Sequence, residues 1–168
     1  VYVGKINMLG NIKTRDNVIR REFRLKEGEV FDSSKLKRSK QRINNLNYFE
    51  DVKIDTQRGE NPDLIDILTT VTEKPTGSFT VGAGFSSVEN LIFTTSIAQD
   101  NLFGNGHRVN LTASLSSIRA DFNISLTEPR LFDSEISAGI DAFNRDEDFL
   151  SFDAKSSGGG LRLGKNIT

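Results

Sequence analysis

An α+β unit of order β-α-α-β-β followed by an antiparallel β-meander is the fold class this sequence predicts, and three observations predict it. The first is the stretch Glu73-Lys74-Pro75-Thr76-Gly77-Ser78-Phe79-Thr80-Val81-Gly82-Ala83-Gly84-Phe85. There Pro75 and Gly77 stop one pattern, and Phe79, Val81, Ala83 and Phe85 start another against Ser78, Thr80, Gly82 and Gly84. The second is a change of composition at that junction. Through Pro75 there are 15 Lys+Arg against 12 Asp+Glu, net +3; from Thr76 onward there are 7 against 11, net −4, with 9 of the 12 Phe and 10 of the 14 Gly. The third is a pair of unbroken alternating rows, Val109 to Ser116 and Ala120 to Thr127, whose period of two is that of a half-buried strand. The chain therefore divides into residues 1–75 and 76–168.

In the first part, Val1, Val3 and Ile6 form a short strand that ends at the turn signal Met8-Leu9-Gly10-Asn11. Thr14 is an N-cap candidate, and Val18, Ile19, Phe23 and Leu25 share a helical face, predicting a helix from about Arg15 to Arg24. Lys26-Glu27-Gly28-Glu29 breaks it. Asp32 or Ser33 caps a second helix with Leu36, Ile43 and Leu46 inward, and Lys35, Lys37, Arg38, Lys40 and Arg42 in water. After Asn47-Tyr48-Phe49 comes a strand with Val52 and Ile54 on one side. Gly59 and Pro62 mark a turn, and Leu64 to Glu73, rich in Ile, Val and Thr, is the last strand of the unit.

In the second part, Phe79 to Phe85, Leu91 to Ala98, Ile136 to Asn144 and Phe152 to Leu163 join the two alternating rows to give six strands. Their connections are short, which makes sequence neighbours antiparallel partners. A soluble sandwich and a membrane barrel both produce alternating strands, so the polar face decides. Here it carries Ser, Thr, Asn and Gly rather than Lys and Glu, and the charges sit mostly in the connections. An apolar face toward lipid and a small-polar face toward an aqueous lumen, in segments of roughly 9 to 11 residues, is what a transmembrane β-strand requires. Leu111, Leu115, Phe122, Ile124 and Leu126 are expected to face lipid; Asn110, Thr112, Asn123 and Thr127 are expected to face the lumen. The aromatic girdle is thin, with no Trp and no Tyr in this part. Six strands are fewer than the roughly eight of the smallest barrels, so the sheet is expected to stop mid-barrel at Asn166-Ile167-Thr168. The start at Val1 reads as a piece of a longer protein.

Composition excludes several classes. Formal net charge is −1, with no basic stripe for nucleic acid. There is no Cys for disulfide or thiolate chemistry, and no apolar run approaches the roughly 18 residues of a membrane helix. Enzymatic and cofactor readings find no support. His107 stands alone in a turn, and Asp146-Glu147-Asp148 lacks the ligand spacing and Gly of a calcium loop. Gly158-Gly159-Gly160 has no Lys-Ser/Thr after it. The sequon matches at Asn110, Asn123 and Asn166 follow from Asn and Ser/Thr sharing a polar face.

Residues 1–75 resemble a POTRA domain, through Gly10-Asn11 after the first strand, Arg20-Arg21-Glu22 in helix one, Gly28-x-x-Phe31 between the helices, and Leu46-x-Tyr48-Phe49 before strand two. Three later motifs are similar to the opening of the barrel in BamA-type outer-membrane protein insertases. These are Thr76-Gly77-Ser78-Phe79, Gln99-Asp100-Asn101-Leu102-Phe103-Gly104-x-Gly106 and Thr127-Glu128-Pro129-Arg130-Leu131-Phe132. The resemblance covers nearly the whole chain. It implies the last periplasmic POTRA domain plus the first six of roughly sixteen strands of a Gram-negative outer-membrane barrel. It implies outer-membrane protein clients, assembly-complex lipoproteins and the lipid bilayer as partners. A POTRA-barrel secretion pore of the two-partner type is the competing reading, separated by the repeats upstream. A soluble β-rich binding module is the third, separated by detergent dependence.

Three candidate sites follow. The strand Ser78, Phe79, Thr80, Val81, Gly82, Ala83, Gly84, Phe85 opens the barrel sequence and must pair with the last strand, and its glycines weaken the register of that seam. An opened seam would template a client strand by β-augmentation; alternatively the glycines relieve crowding or let the sheet curve. Val52, Lys53, Ile54, Asp55 and Thr56 form a POTRA strand that is either a second edge for clients or a capped one. Glu27 and Glu29, in the inter-helix turn, are candidates for docking a lipoprotein, or a solvated turn. The isolated fragment is expected to pair an open edge with another copy.

Overall fold

A computed structural model of the chain describes residues 1–165, and these fall into two units. One comprises Val1–Thr76 with Phe103–Asn105, the other Gly77–Leu102 with the strands after Gly106. The sequon and mid-barrel stop expected at Asn166 to Thr168 lie outside the described residues.

In the first unit the chain runs β1 (Tyr2–Leu9), α1 (Asp16–Arg20), α2 (Ser33–Asn45), β2 (Phe49–Arg58) and β3 (Leu64–Glu73). The sheet order is β1-β3-β2, with β1 parallel and β2 antiparallel to β3. β3 takes the centre because it is the strand whose Ile67, Thr69 and Val71 all point into the core. One cluster gathers Val18, Ile19, Ile43, Tyr48, Phe49, Val52 and Val71, and another Val3, Ile6, Leu25 and Ile67. Met8, Phe23 and Ile54 pack against both. Helix α2 begins where its cap residues place it: the Asp32 carboxylate accepts from the N–H groups of Ser34 (2.7 Å) and Lys35 (3.2 Å), satisfying two orphan donors.

Helix α1 corrects an expectation. It ends at Arg20 instead of Arg24, and Arg15, not Thr14, is its N-cap. The N–H groups of Glu22 and Phe23 donate to Ile19 and Arg20, tightening the last turn to i→i+3 spacing, and Arg24 N–H leaves the helix for Ser39 Oγ at 2.8 Å. This early exit delivers Leu25 to the second cluster, which a continuous helix would not do. Two glycines need their freedom. Gly10 (φ +86°) turns against β3, where a Cβ would lie 2.0 Å from Val71 O; Gly28 (φ +87°) turns the inter-helix segment so that its N–H reaches Val3 O at 2.8 Å.

The second unit is a meander of six strands: β4 (Gly77–Ser86), β5 (Asn90–Leu102), β6 (His107–Leu115), β7 (Arg119–Glu128), β8 (Ile136–Asp148) and β9 (Asp153–Lys165). Every neighbour pair is antiparallel. β5 extends past its expected end at Ala98 to Leu102. The register puts the rows in phase across the sheet: Phe79 opposes Ile97, Ile97 opposes Leu111, Leu111 opposes Ile124 and Ile124 opposes Ala142. The other face repeats with Thr112, Asn123 and Phe143 in one row. Phe143 breaks the small-polar rule of that face. Its ring lies over Gly158, where a Cβ would meet it at 2.9 Å, so the glycine makes room for the aromatic side chain.

Candidate functional site

β4 pairs with β5 through ten opposed residues, Gly77↔Gln99 to Ser86↔Asn90, and among the described residues its other edge is free. In an antiparallel strand alternate residues turn their N–H and C=O outward, so this edge presents a row of unpaired backbone groups. Phe79, Val81 and Phe85 are 69%, 65% and 78% exposed, so packing does not hold the strand's apolar face either. At Gly82 and Gly84 a Cβ would meet nothing within 4 Å. Crowding among the described residues therefore does not require these glycines; a strand without side chains at these positions has less to fix its register and is freer to curve.

The polar face is bound together by charge. Arg162 lies across β8 and donates to Asp141 (2.9 Å), Ser125 (2.9 Å) and Thr127 (3.4 Å), passing Gly139, where a Cβ would sit 3.2 Å from its guanidinium. Toward the β8–β9 turn, Arg119 pairs with Glu89, Asp121 and Glu147, and Arg145 with Asp121. Of these, only Thr127, expected to face the lumen, and Glu147, in the acidic run, were singled out from the sequence. Their signal was there, since all but Glu89, which lies in the β4–β5 turn, sit on the polar phase of their strands, but their partners depend on register. His107 opens β6 and pairs with Glu128. Asp146 and Glu147 point to opposite faces, toward Lys155 and Arg119, so the acidic run does not converge. No cluster of metal ligands occurs among the described residues.

In the first unit β2 is an edge strand. Val52 is buried and Ile54 half-buried, while Lys53, Asp55 and Thr56 are exposed, and β3 is its sole ladder partner among the described residues. Glu27 is half-exposed but engaged: Oε1 accepts from Ile6 N–H at 2.9 Å and from Arg20 at 3.2 Å. Glu29 faces Lys35 at 3.8 Å. Both carboxylates thus brace the inter-helix turn.

Glu73, the last residue of β3, holds the β1–α1 loop by accepting from the N–H groups of Lys13 (2.9 Å) and Thr14 (2.6 Å). Burial pushes its carboxyl up, but hydrogen bonds from the Thr14 hydroxyl and these two N–H groups, with the Lys13 charge, outweigh it and leave the pKa below the ordinary value. A depressed folded-state pKa contributes stability that is present above the unfolded value of roughly 4.3 and lost as pH falls through the folded one. Glu73→Gln is therefore expected to be less stable than the parent at neutral pH by urea titration, with the gap closing in acid. A gap that stays constant down to full protonation would show that the carboxylate is not the source.

An α+β unit passing into an amphipathic antiparallel sheet with one apolar and one hydrated face defines a POTRA-bearing outer-membrane barrel protein. Residues 1–74 match the POTRA family (surface antigen variable number repeat) and residues 101–168 the Omp85 superfamily domain. The outer membrane protein assembly factor BamA of Neisseria meningitidis serogroup B is 35% identical over 176 residues, covering all of this chain and 22% of that protein. That of Nitratidesulfovibrio vulgaris is 36% identical over 163 residues, covering 97% and 21%. The crystal structure of BamA from Haemophilus ducreyi lacking POTRA domains 1–3 superposes with a TM-score of 0.86 at 30% identity, over 97% of this chain and 32% of that one. CdiB from Acinetobacter baumannii, at TM-score 0.65 and 14% identity, shares the fold. The chain belongs to the BamA-type proteins of the Omp85 superfamily, and it spans about a fifth of the length of these curated relatives. Its sheet is an outer-membrane sheet, open among the described residues, and its POTRA unit is periplasmic.

Proposed function

We propose that the protein containing this chain folds and inserts client outer-membrane β-barrels, and that β4 is the edge on which a client strand is added. The observation that carries this reading is a ten-residue strand that opens the sheet, has β5 as its ladder partner among the described residues, and holds two glycines at which a Cβ would meet nothing within 4 Å there. A strand added there exchanges backbone hydrogen bonds for backbone hydrogen bonds, so neither partner exposes unpaired groups to hydrocarbon. The free edge of β2 is a second, periplasmic place for an extended client segment, at Lys53, Asp55 and Thr56. The surface around Glu27 and Glu29 is the docking place for an assembly-complex lipoprotein. In the isolated fragment the β4 edge pairs with a second copy. A two-partner secretion pore is the weaker reading, since the relatives that match at 30% identity or more are assembly factors.

The test is client folding in vesicles by the full-length protein carrying Thr80→Pro or Val81→Pro. Of two adjacent residues, one donates its N–H away from β5, and proline there removes a templating donor without breaking the β4–β5 ladder. That variant is expected to retain its own heat-modifiable barrel and to lose client folding by tenfold or more. Wild-type client folding in both variants would sink the proposal.

A further inference from the structure

We propose that the apolar face of the sheet holds one acyl chain of a bilayer lipid in a groove across β5 to β8. The proposal rests on the outer-membrane placement of this sheet. The groove has a volume of about 500 Å³, inside the roughly 300–1,000 Å³ of small-ligand sites. Its walls are Ile97, Leu111, Phe122 and Ile124, and between them Ala113 and Ala142 are too short to fill the space. Thr112, Asn123 and Phe143 also line it, yet the register turns their side chains to the opposite face. They can reach the groove only with backbone, so its floor is bare main chain.

Such a depression cannot stay empty. Protein interiors are close-packed and a fluid bilayer adapts to the surface it meets, so an apolar hollow left unfilled forfeits the dispersion contacts of its whole lining. Water needs two to four polar partners, and of the lining residues on this face only Thr95 and Asn144 are polar. A flexible apolar chain is the occupant that matches lining and surroundings alike. The rim also orients it. Asn144 ends the groove on β8, and beyond it the same face carries Asp146 and Lys155, paired at 3.6 Å. On β8 and β9 the outward face turns polar there, while the same row stays apolar through Ala120, Leu115 and Phe93, so the chain runs inward from a headgroup beside Asp146 and Lys155.

The probe is phosphatidylcholine brominated on its acyl chains, titrated into the full-length protein in detergent micelles. Tryptophan fluorescence is read in Ile97→Trp, at the groove wall, and Leu115→Trp, on the same face outside the lining, with any tryptophan outside this chain replaced by phenylalanine. Quenching in Ile97→Trp is expected to saturate at about one lipid per chain, and in Leu115→Trp to rise with lipid fraction without saturating. Adding Ala142→Phe, or Ala113→Leu should the first variant lose its heat-modifiable fold, is expected to abolish the saturable phase. Equal quenching at the two positions, or a saturable phase that survives the filled groove, would overturn the proposal. Absence of quenching at both would overturn the membrane placement as well.

Discussion

Arg42→Ala is expected to cost the POTRA unit about 3 to 5 kcal/mol, the penalty for leaving one member of a buried ion pair without the other. Nε and Nη2 of Arg42 both lie 2.9 Å from Glu22 Oε2, and the Glu22 side chain is 5% exposed. The pair ties helix α2 to the turn that ends α1. A small domain has only roughly 0.05–0.15 kcal/mol of stability per residue, so the variant should populate its unfolded state at room temperature. The measurement is urea unfolding of residues 1–76 by circular dichroism. Because the penalty lies in a buried carboxylate that loses Arg42, Glu22→Leu combined with Arg42→Leu is expected to recover most of the loss. A single-variant cost below about 1 kcal/mol would show that solvent reaches the pair and that burial does not make it matter.

Ile124→Arg is expected to destabilise the full-length barrel in phospholipid vesicles by roughly 2 to 4 kcal/mol, and Asn123→Arg by much less. The two residues are adjacent in the middle of β7 and differ in the face they occupy. Ile124 lies in the apolar row with Leu111 and Ala142; Asn123 lies in the hydrated row with Thr112. An arginine in the first row must be buried in hydrocarbon or distort the bilayer, whereas in the second it meets water and carboxylates. Reversible urea unfolding of the two variants compares them directly. Equal costs would contradict the two-faced sheet.

The glycine positions, the α2 cap at Asp32 and the assignment of Leu111, Phe122 and Ile124 to one face were all legible, because each depends on residues a few positions apart. Side-chain phase along a strand is fixed by the backbone itself, and short connections leave neighbouring strands little choice but to pair. That β4 lies at one end of the strand order was expected for the same reason. The length of α1 was not legible. Val18, Ile19, Phe23 and Leu25 satisfy a helical face on paper, but Leu25 belongs to a cluster with Val3 and Ile67, and contacts of that separation outweigh local propensity.

What the sequence determined by itself was the two-part chain, the period of each part and the chemistry of each face, since these follow from local sterics and hydrophobicity. The tertiary structure decided which groups meet. It placed β1 parallel to β3 through a register shift between Val3 and Ile6, where Asp66 takes the Lys5 N–H at 2.7 Å. It brought Glu22 to Arg42, and Arg162 over Gly139 to Ser125 and Asp141. Such meetings depend on strand register and on the balance of desolvation against pairing at each site. Both are properties of the packed chain and of no segment within it.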